Sequence, residues 1–537
     1  MSGRATRVAA CVLAALLAAG CAVPLDPPPA GPPGGDEPPR RGGTLHLAAG
    51  EDPKTLDPAR GYDTVSWLFE QMLFDTLVTY DEGTNIVPDV AASWETSPDR
   101  LRTTFRLRHD VRFSSGRAMT AADVKYSLER LLSRAVHSQG AEFFQGLVGA
   151  ADFMAGRAPA VAGIATPADD VVEFTLTAPD ALFLHKLTMP FASIVDRETV
   201  ERTGAEGFER EPIGTGAFVL AEWTYGQRLR LARNPHYFRP GLPYLDAVDV
   251  TIGVSDQIAW FKYPRGEIDI SGIPAAEFAR VTSDPRYRPL LLQRTTLSTQ
   301  YLGLNCGMAP FDRIPVRQAM NLAIDKARIV ELLNGRGVPA RGVLPPDMPA
   351  YDPAFRPYAH DPEAARARLA EAGLGAGFDT VLWASRDDGS MRIAQSIQQD
   401  LHAIGVGLRI KPVDFPALIE AVRHPGQVAL FLLGWEADFP DPSNFLTVLL
   451  HSRSRETNNN TFFADPRVDA LLDEADALPP SPRRLALYHE AEVAVMRAAP
   501  WVPLVHPKSF VVRHPRVRGY RIHPLRPARL ERVWVAW

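Results

Sequence analysis

The sequence predicts an α/β protein of at least two lobes with mixed sheets, on three observations. Its 537 residues exceed what a single hydrophobic core usually holds. Strand and helix patterns are interspersed from residue 43 to the C-terminus, without the strict alternation that builds a wholly parallel sheet. Pro 48 and Gly 39 cut the chain into short elements joined by many loops.

The first element is a targeting signal. Arg4 and Arg7 precede the apolar segment Val8–Ala19, which runs into Leu17-Ala18-Ala19-Gly20-Cys21. That segment is too short to span a bilayer and has the build of a signal peptide. Its end resembles the bacterial lipobox, which implies cleavage before Cys21 and lipidation of its thiol; the alternative is an ordinary secretory signal with an incidental cysteine. Loss of Arg4 and Arg7 takes the net charge from −5 to −7, and Cys306 becomes the one free thiol, so no internal disulfide is expected. Residues 21–42 are rich in Pro, Gly and Asp and read as an extended tether. Basic residues are scattered rather than clustered, which argues against nucleic acid.

Order begins with the strand 43–48, the loop Pro53–Pro58 and an amphipathic helix from Thr64 to Leu77. Segments 103–107 and 111–113 read as a hairpin. Thr120, with Asp123 three residues on, starts a helix carrying Val124, Leu128, Leu131 and Leu132. Residues 170–176 alternate as a strand. Pro212–Leu220 is a glycine turn before a strand; a phosphate loop would need a following helix and usually a Lys. Strands follow at 228–231, 246–252 and 301–305, then a helix over 315–333 ended by Asn334-Gly335. Helices at 361–373 and 392–404 flank a strand at 381–384, and another strand lies at 408–412. Val428–Leu433 reads as a buried strand, with Gly434 turning the chain and Pro440 and Pro442 stopping any regular element. Ser481-Pro482 caps a long helix, followed by strands at 501–505 and 510–512.

Several windows, taken in order, carry a resemblance. They are Gly43-Thr44-Leu45 with Leu56-Asp57-Pro58, Phe74–Leu77, Pro88–Trp94, Phe113–Gly116 with Thr120–Leu128, Pro212–Phe218, Leu304-Asn305 with Pro315–Ala319 through Ile324–Lys326, and Gly434-Trp435 with Asp438. From about residue 43 to 515 the chain resembles the extracytoplasmic solute-binding proteins of ABC importers, in the oligopeptide, dipeptide and nickel-binding family (bacterial solute-binding protein family 5). The resemblance implies a periplasmic-binding-protein type II fold of two hinged lobes with mixed sheets and an extra domain inserted in the first. Lobe one would comprise 43–82, 206–298 and 506–537, the insert 83–205, and lobe two 299–505. It further implies a monomer without cofactor or catalytic residues. Such a protein would capture a di- or oligopeptide in a closing cleft and deliver it to membrane permease subunits backed by ATPase subunits, while Cys21 holds it to the extracytoplasmic face of the bilayer.

The candidate ligand residues centre on the strand end at 434. Trp435 and Asp438 are expected on a loop, where an aromatic beside a carboxylate suits a cationic amine. On this window alone a surface Asp in a turn is the simpler reading. The resemblance reverses it: in peptide-binding members an Asp three residues after the Trp pairs with the ligand's α-ammonium, and nickel-type members typically lack it. Glu436 is an additional acid, facing solvent on the simpler reading and suited to a second cationic group on the other. Arg386 lies where dipeptide binders place a cation for the ligand carboxylate, with a solvated Arg beside Asp387 and Asp388 as the alternative. Asn305 would offer amide bonds to the ligand backbone or serve a structural turn.

Other classes are weaker. Gly-x-Ser-x-Gly and the Ser-x-x-Lys motif set are missing, and His489-Glu490 lacks the second His of zinc proteases, which disfavours an exported hydrolase. Asp438 and Asp441 are more simply an anchor and a turn residue than an acid/base pair, and Cys306 reads as a buried small side chain. The histidines show no close pair at ligand spacing, so no metal site is expected. A metal chelate, haem or an oligosaccharide remains the alternative ligand.

Overall fold

A computed structural model describes residues 37–525 and 529–536. Cys21, the signal segment and most of the tether lie outside those residues. No helix among the described residues is long and apolar enough to cross a membrane.

The first sheet has four strands. Thr44–Ala49 runs parallel to Ala247–Ile252, followed antiparallel by Arg228–Arg233 and Phe218–Thr224. Leu229, Leu231, Val248 and Val250 are fully buried at alternate positions, the period that puts one strand face on a core. The helix Thr64–Leu73 is capped by Asp63, whose side chain accepts from the N–H of Val65 and Ser66. It stops at Leu73 rather than Leu77, because the glycine turn docks on its end. The Gly216 N–H donates to the Leu73 carbonyl at 3.0 Å, and a Cβ on Gly214 would sit 2.3 Å from that oxygen. The turn is therefore structural, holding helix to sheet at a distance only glycine allows.

A second four-stranded sheet, in the order 91–96, 102–107, 171–175, 164–168, interrupts lobe one. The partner of Arg102–Leu107 is Ala91–Thr96 and not residues 111–113, which contribute one isolated bridge, Arg112 to Ala118. The helix Ala121–Leu132 has the capping box predicted for Thr120 and Asp123. Its Arg130 forms a bidentate pair with Asp57, both buried, so the insert is fastened to the Leu56-Asp57-Pro58 loop. One apolar core runs through both sheets, from Leu45 and Val250 to Phe105 and Val172.

Most strands of the eight-stranded sheet carry the other lobe. Its backbone order is 270–272, 501–513, 298–304, 430–436, 378–385, 406–413, with 291–295 and 337–339 also pairing to 501–513. Trp501–Arg513 is one thirteen-residue strand rather than two short ones. Its first part pairs with Ser298–Leu304 and its last part with Leu291–Thr295 and Ile270–Gly272. Two adjacent antiparallel segments, 291–304 and 501–513, thus pass from one half of the molecule to the other, the arrangement a hinge requires. The helix expected over 315–333 is two helices, Ile314–Ala323 and Lys326–Leu332. Asp325 breaks it by capping the second helix through the N–H of Ala327 and Arg328.

Candidate ligand-binding site

Strands Phe378–Ser385, Val406–Val413 and Leu430–Glu436 run parallel, so their carboxyl ends open on the same edge of the sheet. That edge is where open α/β sheets bind ligands, because loops and helix N-termini converge there. The third strand extends further than its apolar run suggests. Ser298, Thr299 and Gln300 pair with Glu436, Trp435 and Gly434, so Trp435 lies on the strand and Gly434 does not turn. The loop begins only at Ala437.

Asn444, 1 % exposed, organises that loop. Its Oδ1 accepts from Trp435 Nε1 at 2.9 Å and from the Asp438 N–H at 3.2 Å, and its Nδ2 donates to Asp438 Oδ2 at 3.2 Å. The Trp435 N–H is thereby occupied, leaving the ring, and Asp438 is held by a neutral group. Asp441 secures the loop from below. It accepts from the N–H and hydroxyl of Ser443 and pairs bidentately with Arg484, at 2.9 Å for Nη2, within a buried network that includes Tyr488. Asp441 is thus a turn residue with a structural partner, whereas Asp438 has no ion pair among the described residues. Burial raises the Asp438 carboxyl above its usual range; the Asn444 bond opposes that, and the charge of Glu142 adds to it. Glu436 lies at the exposed end of the strand, on the solvent-facing reading, and its carboxyl is raised as well, by partial desolvation there and by the charge of Asp438.

Glu142 and Tyr62 belong to the opposite side of the cleft. Glu142 lies in the short 3-10 helix Gln139–Phe144 of the insert. Phe143 stacks on Phe191 with centroids 6.0 Å apart, and Phe191 in turn meets Tyr62 at 5.2 Å and Trp67 at 5.9 Å. Tyr62 is 39 % exposed, and its hydroxyl is pushed up to about 12 by burial, then by Asp438 and Glu142. From the other side Phe439 reaches His185, at 6.2 Å between centroids. The rings of Tyr62, Trp67, Phe143 and Phe191 therefore form one aromatic wall, and His185 links that side to Phe439 of the loop.

The other two candidates are not brought into that space as ligands. Asn305 is 1 % exposed; its Nδ2 donates to the Val428 carbonyl at 2.9 Å and its Oδ1 accepts from the Gly307 N–H at 3.0 Å. One end of the amide ties the strand end to the segment entering the neighbouring strand and the other closes the local turn at Gly307, the structural role. Arg386 is exposed and lies 3.5 Å from Asp414, whose side chain is also open to solvent. Its neighbours Ser385 and Asp387, but not Arg386 itself, line a cavity of about 180 Å³ together with Gln300, Phe415 and Gly434. Cys306 is half-buried, with its thiol pushed up to about 11 by desolvation. No group of three or more His, Cys, Asp or Glu among the described residues is arranged to hold a metal ion. Asn444, Tyr62 and Glu142 were not singled out from the sequence. Asn444 alone carried a signal there, being six residues from Asp438 in the same Pro-bounded loop.

Two sheet-based halves joined by paired crossing strands, with a polar and aromatic cleft between them, define a bilobal binding protein. The model for bacterial extracellular solute-binding proteins, family 5, matches residues 85–457. The chain belongs to that family. It is 33% identical over 501 residues to heme-binding protein A of Haemophilus influenzae, covering 89% of this chain and 88% of that one. It is 31% identical over 513 residues to di/tripeptide-binding protein 2 of Pseudomonas aeruginosa, covering 91% and 94%. Among solved structures, the clavulanic acid biosynthesis oligopeptide binding protein 2 superposes with a TM-score of 0.84 at 30% identity, covering 93% of this chain and 96% of that one. Its type II periplasmic-binding-protein fold is the one expected here, and the relatives are named as binding proteins, not as enzymes.

Proposed function

We propose that this protein captures peptides with a free amino terminus and delivers them to the permease of an ABC importer, tethered to the membrane through a lipid on Cys21. One observation carries the ligand reading. Asp438 is a partly buried carboxylate, fixed by Asn444 and without a cationic partner among the described residues. Such a group is penalised until a positive partner enters, and an α-ammonium beside the Trp435 ring supplies one. Peptide-binding relatives over nearly the whole chain support the same class. Trp435 and Asp438 are the residues assigned to the ligand. Arg386 is the candidate for its carboxylate, since its ion-pair partner among the described residues is the exposed Asp414. The protein acts as a monomer and catalyses nothing; ATP hydrolysis belongs to the partner subunits.

A second reading rests on the heme-binding relative: the ligand would be haem, as cargo. The first experiment is mass spectrometry of material co-purifying with residues 43–537, followed by calorimetry with di- to pentapeptides, free and N-acetylated, and a haemin titration followed by its Soret band. Heat from free-amine peptides that vanishes on acetylation supports the proposal. Haemin binding without peptide binding replaces it with the second reading.

A further inference from the structure

The contact between the insert and the helix Pro466–Ala477 of lobe two is prepared on both sides. On the insert, Arg100 sits in the turn between Ala91–Thr96 and Arg102–Leu107 with φ 58°, the left-handed region that only glycine enters without cost. The turn is held in that shape by its own side chains. Asp99 Oδ1 accepts from the Ser97 hydroxyl at 2.5 Å and from the Leu101 N–H at 3.1 Å, and the Ser97 hydroxyl oxygen accepts from the Arg102 N–H at 3.0 Å. Half-buried Arg100 then reaches across, and its Nη2 donates to the Ala477 carbonyl at 2.5 Å. On lobe two, Ala477 ends a helix that the sequence leaves poorly capped. Leu478 is followed by Pro479 and Pro480, which have no N–H to return to the last carbonyls, and the last turn holds no basic residue. A cationic donor suits the negative end of that helix, and Arg100 supplies it from the other half. The same helix end is wired to the ligand loop: Arg484 donates to the Ala475 carbonyl at 3.2 Å and holds Asp441 beneath Asp438.

We infer that Arg100 is a closing latch, a positioning residue that holds the insert against lobe two when the cleft is shut. It thereby tightens binding and slows release without touching the ligand. The crossing ladders let the two halves move apart, so the bond is made in the closed arrangement and lost in the open one. Apparent affinity scales with the fraction of protein in the binding-competent state. A bond confined to that state therefore strengthens the hold on any cargo gripped between the halves. The strained turn fits this role, because it fixes the tip before the halves meet and little freedom is lost when the bond forms. The inference does not depend on the amino-anchor reading of Asp438; it requires only capture between two closing halves.

The test compares Arg100 with Arg100→Gly, which keeps the turn and removes the donor, and with Arg100→Lys, which keeps charge and donor. The full chain, with Cys11, Cys21 and Cys306 replaced by serine, carries spin labels on Ala151→Cys of the insert and Ala367→Cys of lobe two, both exposed positions. Pulsed electron paramagnetic resonance then gives the distance distribution across the cleft without added ligand, and circular dichroism checks that each variant is folded. Calorimetry and stopped-flow release use Ala-Ala-Ala and haemin as probes. Arg100→Gly should shift the distances toward wider separations and weaken whichever probe binds about fivefold, the size of one charge-assisted bond discounted for solvent. Faster release should account for most of that loss, and Arg100→Lys should restore part of it. Unchanged distances in Arg100→Gly, or a wider cleft with unchanged affinity for a probe that binds, overturn the latch. Binding of neither probe overturns the peptide and haem readings, and the distances alone then decide the latch.

Discussion

Replacing Asp438 by Asn is the most discriminating single change, because it keeps the shape of the loop and removes only the charge. Asparagine at 438 can still accept from Asn444 Nδ2, the bond that now spans 3.2 Å. Its loss of charge removes a charge-assisted bond to the ligand ammonium, worth about 1.5–3 kcal/mol. Fully exposed pairs yield about 1 kcal/mol or less, but Asp438 is partly buried and faces a cleft that closes. A loss of about 2 kcal/mol follows, or about 30-fold in Kd. The same substitution should leave N-acetylated peptides unaffected and should raise Tm slightly in the unliganded protein. The sign of the second effect follows from the raised carboxyl: a group harder to ionise when folded costs stability at neutral pH, and a neutral isostere removes that cost. Calorimetry with paired free and acetylated peptides, and a thermal melt without ligand, measure both. Equal losses for the two peptide forms, or a lower unliganded Tm, would refute the anchor and make Asp438 a structural residue.

Three further outcomes are expected. Affinity for free-amine peptides should be full at neutral pH and fall as pH drops through the raised Asp438 value, since the ligand cation binds only the ionised form; binding in that range should release protons, which calorimetry in buffers of different ionisation enthalpy detects. Asp441→Asn should destabilise the fold by about 3–5 kcal/mol, because it strands the buried Arg484; the Asp441 carboxyl is lowered by Arg484 and Ser443 against its burial, so its contribution is present above the unfolded carboxylate value and lost as pH falls through the folded one, which acid titrations of wild type and variant compare. Cys21→Ala should release the protein from the membrane fraction on cell fractionation, and retention there would count against lipidation.

Local patterning made individual elements legible from the sequence, and long-range pairing did not. The helix starts at Thr120 and Ser481 were readable because capping is a contact within three residues. The split at Asp325 was missed because apolar periodicity continues across it, and Asp325 uses its side chain to cap where a continuous helix would pass. The sequence shows two strand windows, 501–505 and 510–512, where the structure has the single strand Trp501–Arg513. The strand survives because its neighbours, 298–304 on one half and 291–295 on the other, are far away in sequence and hold it in register. The site divides the same way. Trp435 and Asp438 lie in one window and were visible together. The Tyr62, Phe191 and Phe143 rings, and the His185 ring beside Phe439, come together from segments far apart in sequence, which local periodicity cannot reveal. Asn305 shows the converse error: a polar residue at a strand end resembles a ligand donor until its amide is seen to join Val428 to Gly307.

The way the halves are joined also bears on how such a cleft works. The two halves are continuous through backbone ladders at 291–304 and 501–513, which bend without breaking bonds. Direct contacts between the halves include a ring pair, Phe439 with His185, and a bond from Arg100 to the Ala477 carbonyl. Few such contacts need to be broken to open the cleft, so a ligand that touches both halves shifts the balance toward closure, because a ligand moves a two-state equilibrium by the difference in its affinity for the two states.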